Sequence, residues 1–262
     1  YIEVLIAELS YLGYEGFEEN KQEFKAYIEV NDFEESSIQD LLQRYSEQVN
    51  IQLLKTEDME EQNWNELWES NFAPVMVDDT ILIKAPFHQI DQDFTYEIVI
   101  EPKMAFGTGH HETTYLVLKR ILDIDFQDKS VLDFGCGTGI LGMMASLLGA
   151  KSILAIDNDP WSYQNTLENS QVNQISNITA VLGDQKDIID KHFDVIIANI
   201  NVPVLLSTLN IISNALKDNS LVVLSGILHT DIERIEERAK ECNLQLLDTS
   251  RRNDWVAMAF KK

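Results

Sequence analysis

Three glycines spaced two apart, Gly135, Gly137 and Gly139, follow the acid Asp133 at the end of an apolar run. They precede Leu141-Gly-Met-Met-Ala-Ser-Leu-Leu148, a stretch suited to a buried helix. Strand, glycine turn and helix in succession let backbone approach a nucleotide-like ligand. Glycine is needed because a Cβ would block close approach and forbid positive φ. Two ligand chemistries compete. Gly137, Gly139 and Gly142 spell the G-x-G-x-x-G of dinucleotide sites, and Asp157 follows the next apolar run, where a ribose-binding carboxylate belongs. The register argues otherwise, since a turn opened by Gly137 leaves Asp133 and Gly135 without a role. Read as Asp133-x-Gly135-x-Gly137-x-Gly139, the loop starts from a carboxylate, which repels a pyrophosphate and holds a cation.

Further polar residues fall where ligands of parallel sheets sit, outside the carboxyl ends of strands. Asp157 is placed to hold ribose hydroxyls by a charge-assisted bidentate bond. Gly183-Asp184 ends the next strand, where the carboxylate or neighbouring backbone can meet an adenine amine. Ala198-Asn-Ile-Asn201 ends the one after. Upstream lies Met104-Ala-Phe-Gly-Thr-Gly-His-His-Glu-Thr-Thr114, ahead of a helix from Tyr115 to Leu122 that Thr113 and Thr114 are expected to cap. His110 and His111 suggest a metal at first sight. Adjacent residues rarely chelate together, and with no further His/Cys cluster no metal is expected.

The elements that must position these residues alternate from Val131 onward. Strands are expected at 131–134, 152–156, 178–182, 193–198, 220–225, 244–249 and 255–260, and helices at 138–148, 160–172, 203–216 and 230–241. That rhythm implies an α/β, doubly wound parallel sheet. The last two strands, joined by a short link around Arg251-Arg252-Asn253, imply a terminal antiparallel hairpin. Residues 1–56 read as a small α+β domain: a helix ending near Gly13, strands from Tyr14 to Glu18 and Phe24 to Val30 around Asn20-Lys21, a capped amphipathic helix from Ser36 to Tyr45, and a strand from Val49 to Lys55. One strand before Tyr1 would complete a ferredoxin-like order, so that first strand is expected to be absent. Residues 57–71 read as a helical linker carrying Trp64 and Trp68, and 72–262 as the ligand-binding domain, with short strands at Thr80 to Lys84 and Tyr96 to Ile100.

At 262 residues with 45% hydrophobic content the chain can bury a sizeable core. No apolar run approaches the roughly 20 residues of a membrane helix. Two cysteines, Cys136 and Cys242, without a C-x-x-C, fit a reducing cytoplasm. The net charge of -24, from 44 acidic and 20 basic residues, disfavours nucleic acid and suits a basic partner. Arg251-Arg252 and Lys261-Lys262 read as isolated pairs.

The glycine loop resembles that of class I S-adenosylmethionine methyltransferases, whose sheet also ends in an antiparallel hairpin and whose cofactor carries an ammonium and a sulfonium. The resemblance becomes specific with Phe106-Gly-Thr-Gly-His-His-Glu-Thr-Thr114, Val131 to Leu141, Asp157-Asn-Asp-Pro160, Ala198-Asn-Ile200 and Ser225-Gly-Ile227 in that order. Together they resemble the PrmA family, which methylates a large-subunit ribosomal protein. The resemblance implies methyl transfer from S-adenosylmethionine to lysine side chains and/or an N-terminal amine, with the first domain recognising the substrate. It implies a cofactor set of Phe106, Gly107, Thr108, His111, Thr114, Asp133, Gly135, Gly137, Asp157, Asp184 and Asn199, with Asn199 also positioning the acceptor. A basic ribosomal protein is the expected partner, with no membrane, no direct nucleic-acid contact and a monomeric state. Where the family usually continues Asn199-Ile200 with Leu-Ala, this chain has Asn201-Val202-Pro203. Three alternatives stay open: an RNA or other amine methyltransferase, an NAD-dependent oxidoreductase, and a module that binds the cofactor without turnover. The missing Asn-Pro-Pro-Tyr and basic patch count against RNA.

Overall fold

The computed structural model describes every residue except 1, 15, 20–23, 47, 50, 58–72 and 102–110. The expected linker helix with Trp64 and Trp68, and the candidates Phe106, Gly107, Thr108 and His110, lie outside the described residues. The chain divides into two units, Tyr1–Leu67 and Trp68–Lys262.

In the first unit α1 (Ile2–Tyr11) is followed by an antiparallel pair, β1 (Gly16–Glu19) and β2 (Phe24–Tyr27), and by α2 (Glu35–Tyr45). Leu5, Leu9, Tyr14, Ile38 and Leu41 form its core. Glu8 on α1 accepts a hydrogen bond from Tyr45 and an ion pair from Arg44, tying the two helices together. Two local expectations are corrected. Helix α2 starts at Glu35, and its flanking residue Glu34 makes no side-chain cap; Ser36 and Ser37 instead lie inside the first turn, where Ser37 Oγ donates to Glu34. The strand expected from Val49 to Lys55 does not form. Val49 N bonds back to Tyr45 O, and 51–57 joins no ladder among the described residues. A segment without a neighbouring strand leaves its backbone groups to side chains or water.

The second unit begins with a small sheet, β3 (Val75–Val77), β4 (Ile81–Lys84) and β5 (Tyr96–Val99), in which β4 pairs antiparallel with β3 and parallel with β5. Next come α3 (Glu112–Ile121), β6 (Ser130–Phe134), α4 (Ile140–Leu147), β7 (Ser152–Asp157), α5 (Pro160–Val172), β8 (Ile178–Leu182), β9 (Phe193–Asn199), α6 (Val202–Asn214), β10 (Leu216–Leu228), α7 (Ile232–Glu241), β11 (Gln245–Arg252) and β12 (Trp255–Lys261). Strands β6 to β12 make one sheet in the order β11-β12-β10-β9-β6-β7-β8. All neighbours are parallel except β12, which runs antiparallel to β10 and β11.

Side chains alternate across this sheet, and both faces are covered. Val131, Val195, Ile197 and Val223 meet α3, α4 and the small sheet on one face. Leu132, Ile196, Ala198, Val222 and Leu224 meet α6 and α7 on the other. Composition also decides the hairpin's arrangement. The continuous apolar run Val256-Ala-Met-Ala-Phe260 is buried between β10 and β11, whereas polar β11 takes the exposed edge.

At the amino end of the sheet Asp194 Oδ2 accepts from Ser130 N, Ser130 Oγ and Lys217 Nζ at 2.9, 2.6 and 2.7 Å. Partial burial opposes its charge, but these donors outweigh it and hold the carboxyl at about 2. A depressed carboxyl stabilises the fold above its unfolded pKa and loses that contribution as pH falls through its folded one. Replacing Asp194 by Ala should therefore cost about 1–2 kcal/mol at pH 7. Urea titrations should show the difference shrinking between pH 4 and pH 2.

Candidate active site

The three loop glycines carry positive φ, 76° at Gly135, 56° at Gly137 and 80° at Gly139, whereas Gly142 lies inside α4. The turn therefore follows the register that starts at Asp133. Gly142 has a different duty. A Cβ there would come within 3.2 Å of Asp133 Oδ2 and of Ile153, so glycine lets α4 lie against β6 and β7.

Asp133 is fully buried near the end of β6. Its Oδ2 accepts from Gly142 N at 2.9 Å, and its Oδ1 has no hydrogen-bond partner. Burial pushes the carboxyl up to about 7, opposed by the Gly142 bond and aided by the nearby charge of Asp157. Asp157, at the end of β7, accepts from Gly137 N through Oδ2 at 2.9 Å and from Asp159 N through Oδ1 at 3.0 Å. It thus joins the glycine loop to the start of α5 and keeps lone pairs for further donors. Asp184, at the end of β8, is turned to a local task. Its Oδ1 accepts from Lys186 N at 2.7 Å while Asp187 accepts from Asp184 N at 2.8 Å, a reciprocal cap of a short 3-10 turn.

Asn199 ends β9 almost fully buried, and its Oδ1 has no partner. Ile200 follows and passes between two glycines. A Cβ on Gly135 would lie 2.2 Å from Ile200 Cγ2, and one on Gly226 would lie 2.2 Å from Ile200 O. Asn201, where the chain departs from the family pattern, caps α6 by accepting from Val204 N at 3.1 Å, with Pro203 in the first turn. The altered residues thus start a helix, for which Asn and Pro suit those positions.

Thr113 and Thr114 do not cap the upstream helix, contrary to expectation. Helix α3 begins at Glu112, and the cap is His111, whose Nδ1 accepts from Thr113 N at 3.3 Å and lies 2.8 Å from Thr113 Oγ1. The His111 ring also packs edge-on against Trp255. Thr114 lies in the first turn, buried, with Oγ1 unpartnered.

Helix α5 was missed as part of this region. Its buried residues are Ser162, Asn165, Thr166, Asn169 and Ser170, whereas Trp161 is 73% exposed. Thr166 Oγ1 donates to Gly137 O at 3.0 Å, and Asn169 Nδ2 donates to Thr138 O at 2.9 Å. Asn169 Oδ1 accepts from Glu101 N at 3.0 Å, and Asn173, just past the helix, bonds both Val99 N and Val99 O. The available signal was a polar stripe at helical spacing, 162, 165/166, 169/170 and 173, in a helix whose apolar residues share no face.

Arg251-Arg252 is not isolated in space. With Lys119 and Arg120 it lines a groove of about 420 Å³ that also holds Asp123 and Asp248. Arg252 stacks on Tyr115, 3.7 Å from its ring centroid, and Arg120 pairs with Asp123 and lies 3.7 Å from Asp248.

Comparison with known proteins places this geometry. A family model described as "Ribosomal protein L11 methyltransferase (PrmA)" matches residues 5–262. A ribosomal protein L11 methyltransferase of Porphyromonas gingivalis is 42% identical over 260 residues, covering 98% of this chain and 90% of its own. One from Prochlorococcus marinus strain MIT 9312 is 34% identical over 285 residues, covering 99% and 92%. The crystal structure of a ribosomal protein L11 methylase from Lactobacillus delbrueckii subsp. bulgaricus superposes with a TM-score of 0.67 at 29% identity, over 72% of this chain and 98% of its own. A putative methyltransferase complexed with SAH, at 15% identity and a TM-score of 0.52, over 59% of this chain and 50% of its own, shares the fold.

The raised carboxyl gives a testable pH dependence. Unfolded, Asp133 ionises near 3.8; folded, near 7. The folded state holds the proton longer, so the ligand-free protein should lose stability as pH rises from about 4 to about 7. Asp133→Asn should flatten that slope. Denaturant unfolding at pH 5 and pH 8 should show the variant gaining about 2–3 kcal/mol on wild type between the two. Parallel pH profiles would mean the Asp133 carboxyl is ionised throughout.

Proposed function

The chain belongs to the ribosomal protein L11 methyltransferase family and is an S-adenosylmethionine-dependent methyltransferase acting on a ribosomal protein; from that premise we propose that it methylates amino groups, lysine side chains and/or the N-terminal amine, of a basic large-subunit protein. One observation carries the reading. Among the described residues, Thr114 Oγ1, Asp133 Oδ1 and Asn199 Oδ1 are buried side-chain atoms without hydrogen-bond partners. They belong to the first turn of α3 and to the carboxyl ends of β6 and β9, the latter adjacent strands. Buried polar atoms are rarely left unpaired unless a ligand or water meets them. Two carboxylates and hydroxyl or amide acceptors fit a cofactor that is a nucleoside at one end and cationic at the other.

When bound, S-adenosylmethionine supplies an electrophilic methyl group on a sulfonium. The chain's own residues have the remaining work. Asp157 accepts from the ribose hydroxyls while keeping Gly137 in place. Thr114, Asp133 and the glycine loop hold the amino-acid end, and Asp184 or its backbone meets the adenine. Asn199 Oδ1 accepts a hydrogen bond from the neutral amine and aims its lone pair. A lysine amine with a reference pKa near 10.4 must first give its proton to bulk water, and orientation of the neutral amine and exclusion of water then account for the rate of methyl transfer. The set Phe106, Gly107, Thr108 and His111 belongs to this reading through the family resemblance.

Residues 1–56 recognise the substrate in this proposal, and the -24 charge attracts it. No helix among the described residues is long and apolar enough to cross a membrane. The reading is of a cytoplasmic monomer that makes no direct contact with nucleic acid.

Incubating the protein with labelled S-adenosylmethionine and a purified basic ribosomal protein should label that protein, with mass spectrometry locating the methyl groups on amines. Asn199→Ala should lower kcat about ten- to hundred-fold, a larger loss than its effect on cofactor affinity. No label on that protein, or label on RNA alone when ribosomal RNA is supplied beside it, would overturn the reading. Steering between exposed charges is screened within about 8 Å at physiological salt. Raising salt at saturating cofactor should therefore lower kcat/KM for the protein substrate; a flat response would leave the acidic surface without a role in capture.

A further inference from the structure

We propose that Thr166 and Asn169, on the buried polar face of α5, are positioning residues of the cofactor site, fixing the orientation of the glycine-loop peptides. The proposal rests on the methyltransferase reading and adds residues that touch neither cofactor nor substrate. A helix meant only to cover a sheet does so best with apolar side chains. Helix α5 does the reverse, burying Ser162, Asn165, Thr166, Asn169 and Ser170 and leaving Trp161 outside. Buried polar groups are unfavourable unless bonded, so their arrangement has to be satisfied atom by atom.

The loop satisfies two of the five, Thr166 and Asn169, whereas Ser162 Oγ and Ser170 Oγ donate within the helix and its cap, to Asp159 Oδ2 and Thr166 O. Two successive carbonyls, Gly137 O and Thr138 O, are each held by a different side chain of α5, Thr166 Oγ1 at 3.0 Å and Asn169 Nδ2 at 2.9 Å. In a trans peptide the C=O of one residue is antiparallel to the N–H of the next. Holding both carbonyls toward α5 therefore sets the rotation of the 137–138 and 138–139 peptides and turns their N–H edges away from the helix. Glycines move freely through φ and ψ; Gly139 N donates to Cys136 O at 2.8 Å and Gly137 N to Asp157 Oδ2 at 2.9 Å, and the two α5 bonds add the restraint on the carbonyl edge of the same loop. Asn169 uses its remaining atom on a second element. Its Oδ1 accepts from Glu101 N at 3.0 Å, so one fully buried amide spaces the glycine loop from the end of β5. The fit is steric too, since a Cβ on Gly139 would come within 2.9 Å of Thr166 Cγ2.

The test uses Thr166→Val, which keeps the shape against Gly139 and removes the hydroxyl, and Asn169→Asp, which keeps the acceptor for Glu101 and removes the donor to Thr138. Ile235→Val, in the core on the other face of the sheet, serves as a control that lowers stability without touching the loop. Calorimetric titration with S-adenosylhomocysteine, Tm, and steady-state KM and kcat are measured for each. The expected result is an approximately ten-fold weaker Kd for Thr166→Val and Asn169→Asp, a matching rise in KM for S-adenosylmethionine, and kcat within about three-fold of wild type. Ile235→Val should lower Tm and leave Kd unchanged. Wild-type Kd in Thr166→Val overturns the proposal, even if Asn169→Asp fails to fold. So does an equal loss of affinity in Ile235→Val, which would make the effect one of general stability. Wild-type protein that binds no S-adenosylhomocysteine overturns the methyltransferase reading itself.

Discussion

Ile200 has no room for a Cβ on either side, and the site is built around that constraint. Gly135 meets its side chain and Gly226 its carbonyl, both glycines at positive φ, 76° and 83°. Ile200 N donates to Ser225 O, so the end of β9 is stitched to β10 while wedged against the glycine loop. Three chain segments distant in sequence thereby acquire one relative position. Asn199, one residue earlier, inherits it, and so does the loop from Gly135 to Gly139. An alanine at either glycine would have to displace a neighbour by more than an ångström, in a backbone conformation that L residues rarely adopt.

The strand and helix rhythm was legible because both faces of the sheet are buried. A strand covered on two sides reads as an uninterrupted apolar run, as at 195–198 and 221–224, and such runs admit few other interpretations. The glycine register was legible for an electrostatic reason, the carboxylate at the strand end, and positive φ at Gly135, Gly137 and Gly139 agrees with it. Other features depended on contacts that sequence does not display. Val49 to Lys55 has strand composition, but a strand needs a neighbour. Thr113 and Thr114 are good capping residues, yet the His111 side chain reached Thr113 N first. Arg251-Arg252 became part of a basic groove only when β11 was laid beside α3.

The polar face of α5 exemplifies information carried by an apparent defect. Measured by amphipathicity, 160–172 is an indifferent helix, with small and polar residues where a core stripe belongs. Besides strands β7 and β8 it meets a backbone loop, through Thr166 and Asn169, and backbone carbonyls select hydroxyls and amides. Asp133 shows the same logic, since a strand otherwise apolar keeps one carboxyl that the burial around it opposes. Local choices that disagree with the fold tend to coincide with function.

The position of β12 has a temporal consequence. It is later in sequence than every other strand of the seven-stranded sheet, yet it lies between β10 and β11. A ribosome delivers β11 before the strand that will join it to the sheet. Until β12 emerges, β10 has an open flank and β11 has no ladder to enter. The two-domain chain can condense its amino-terminal unit early, but the large sheet closes last, through contacts of long sequence separation whose loop-closure entropy must be met first. Nascent chains of this topology therefore present an incomplete apolar sheet from the emergence of β6 until that of β12, a window in which chaperones would find their binding surface.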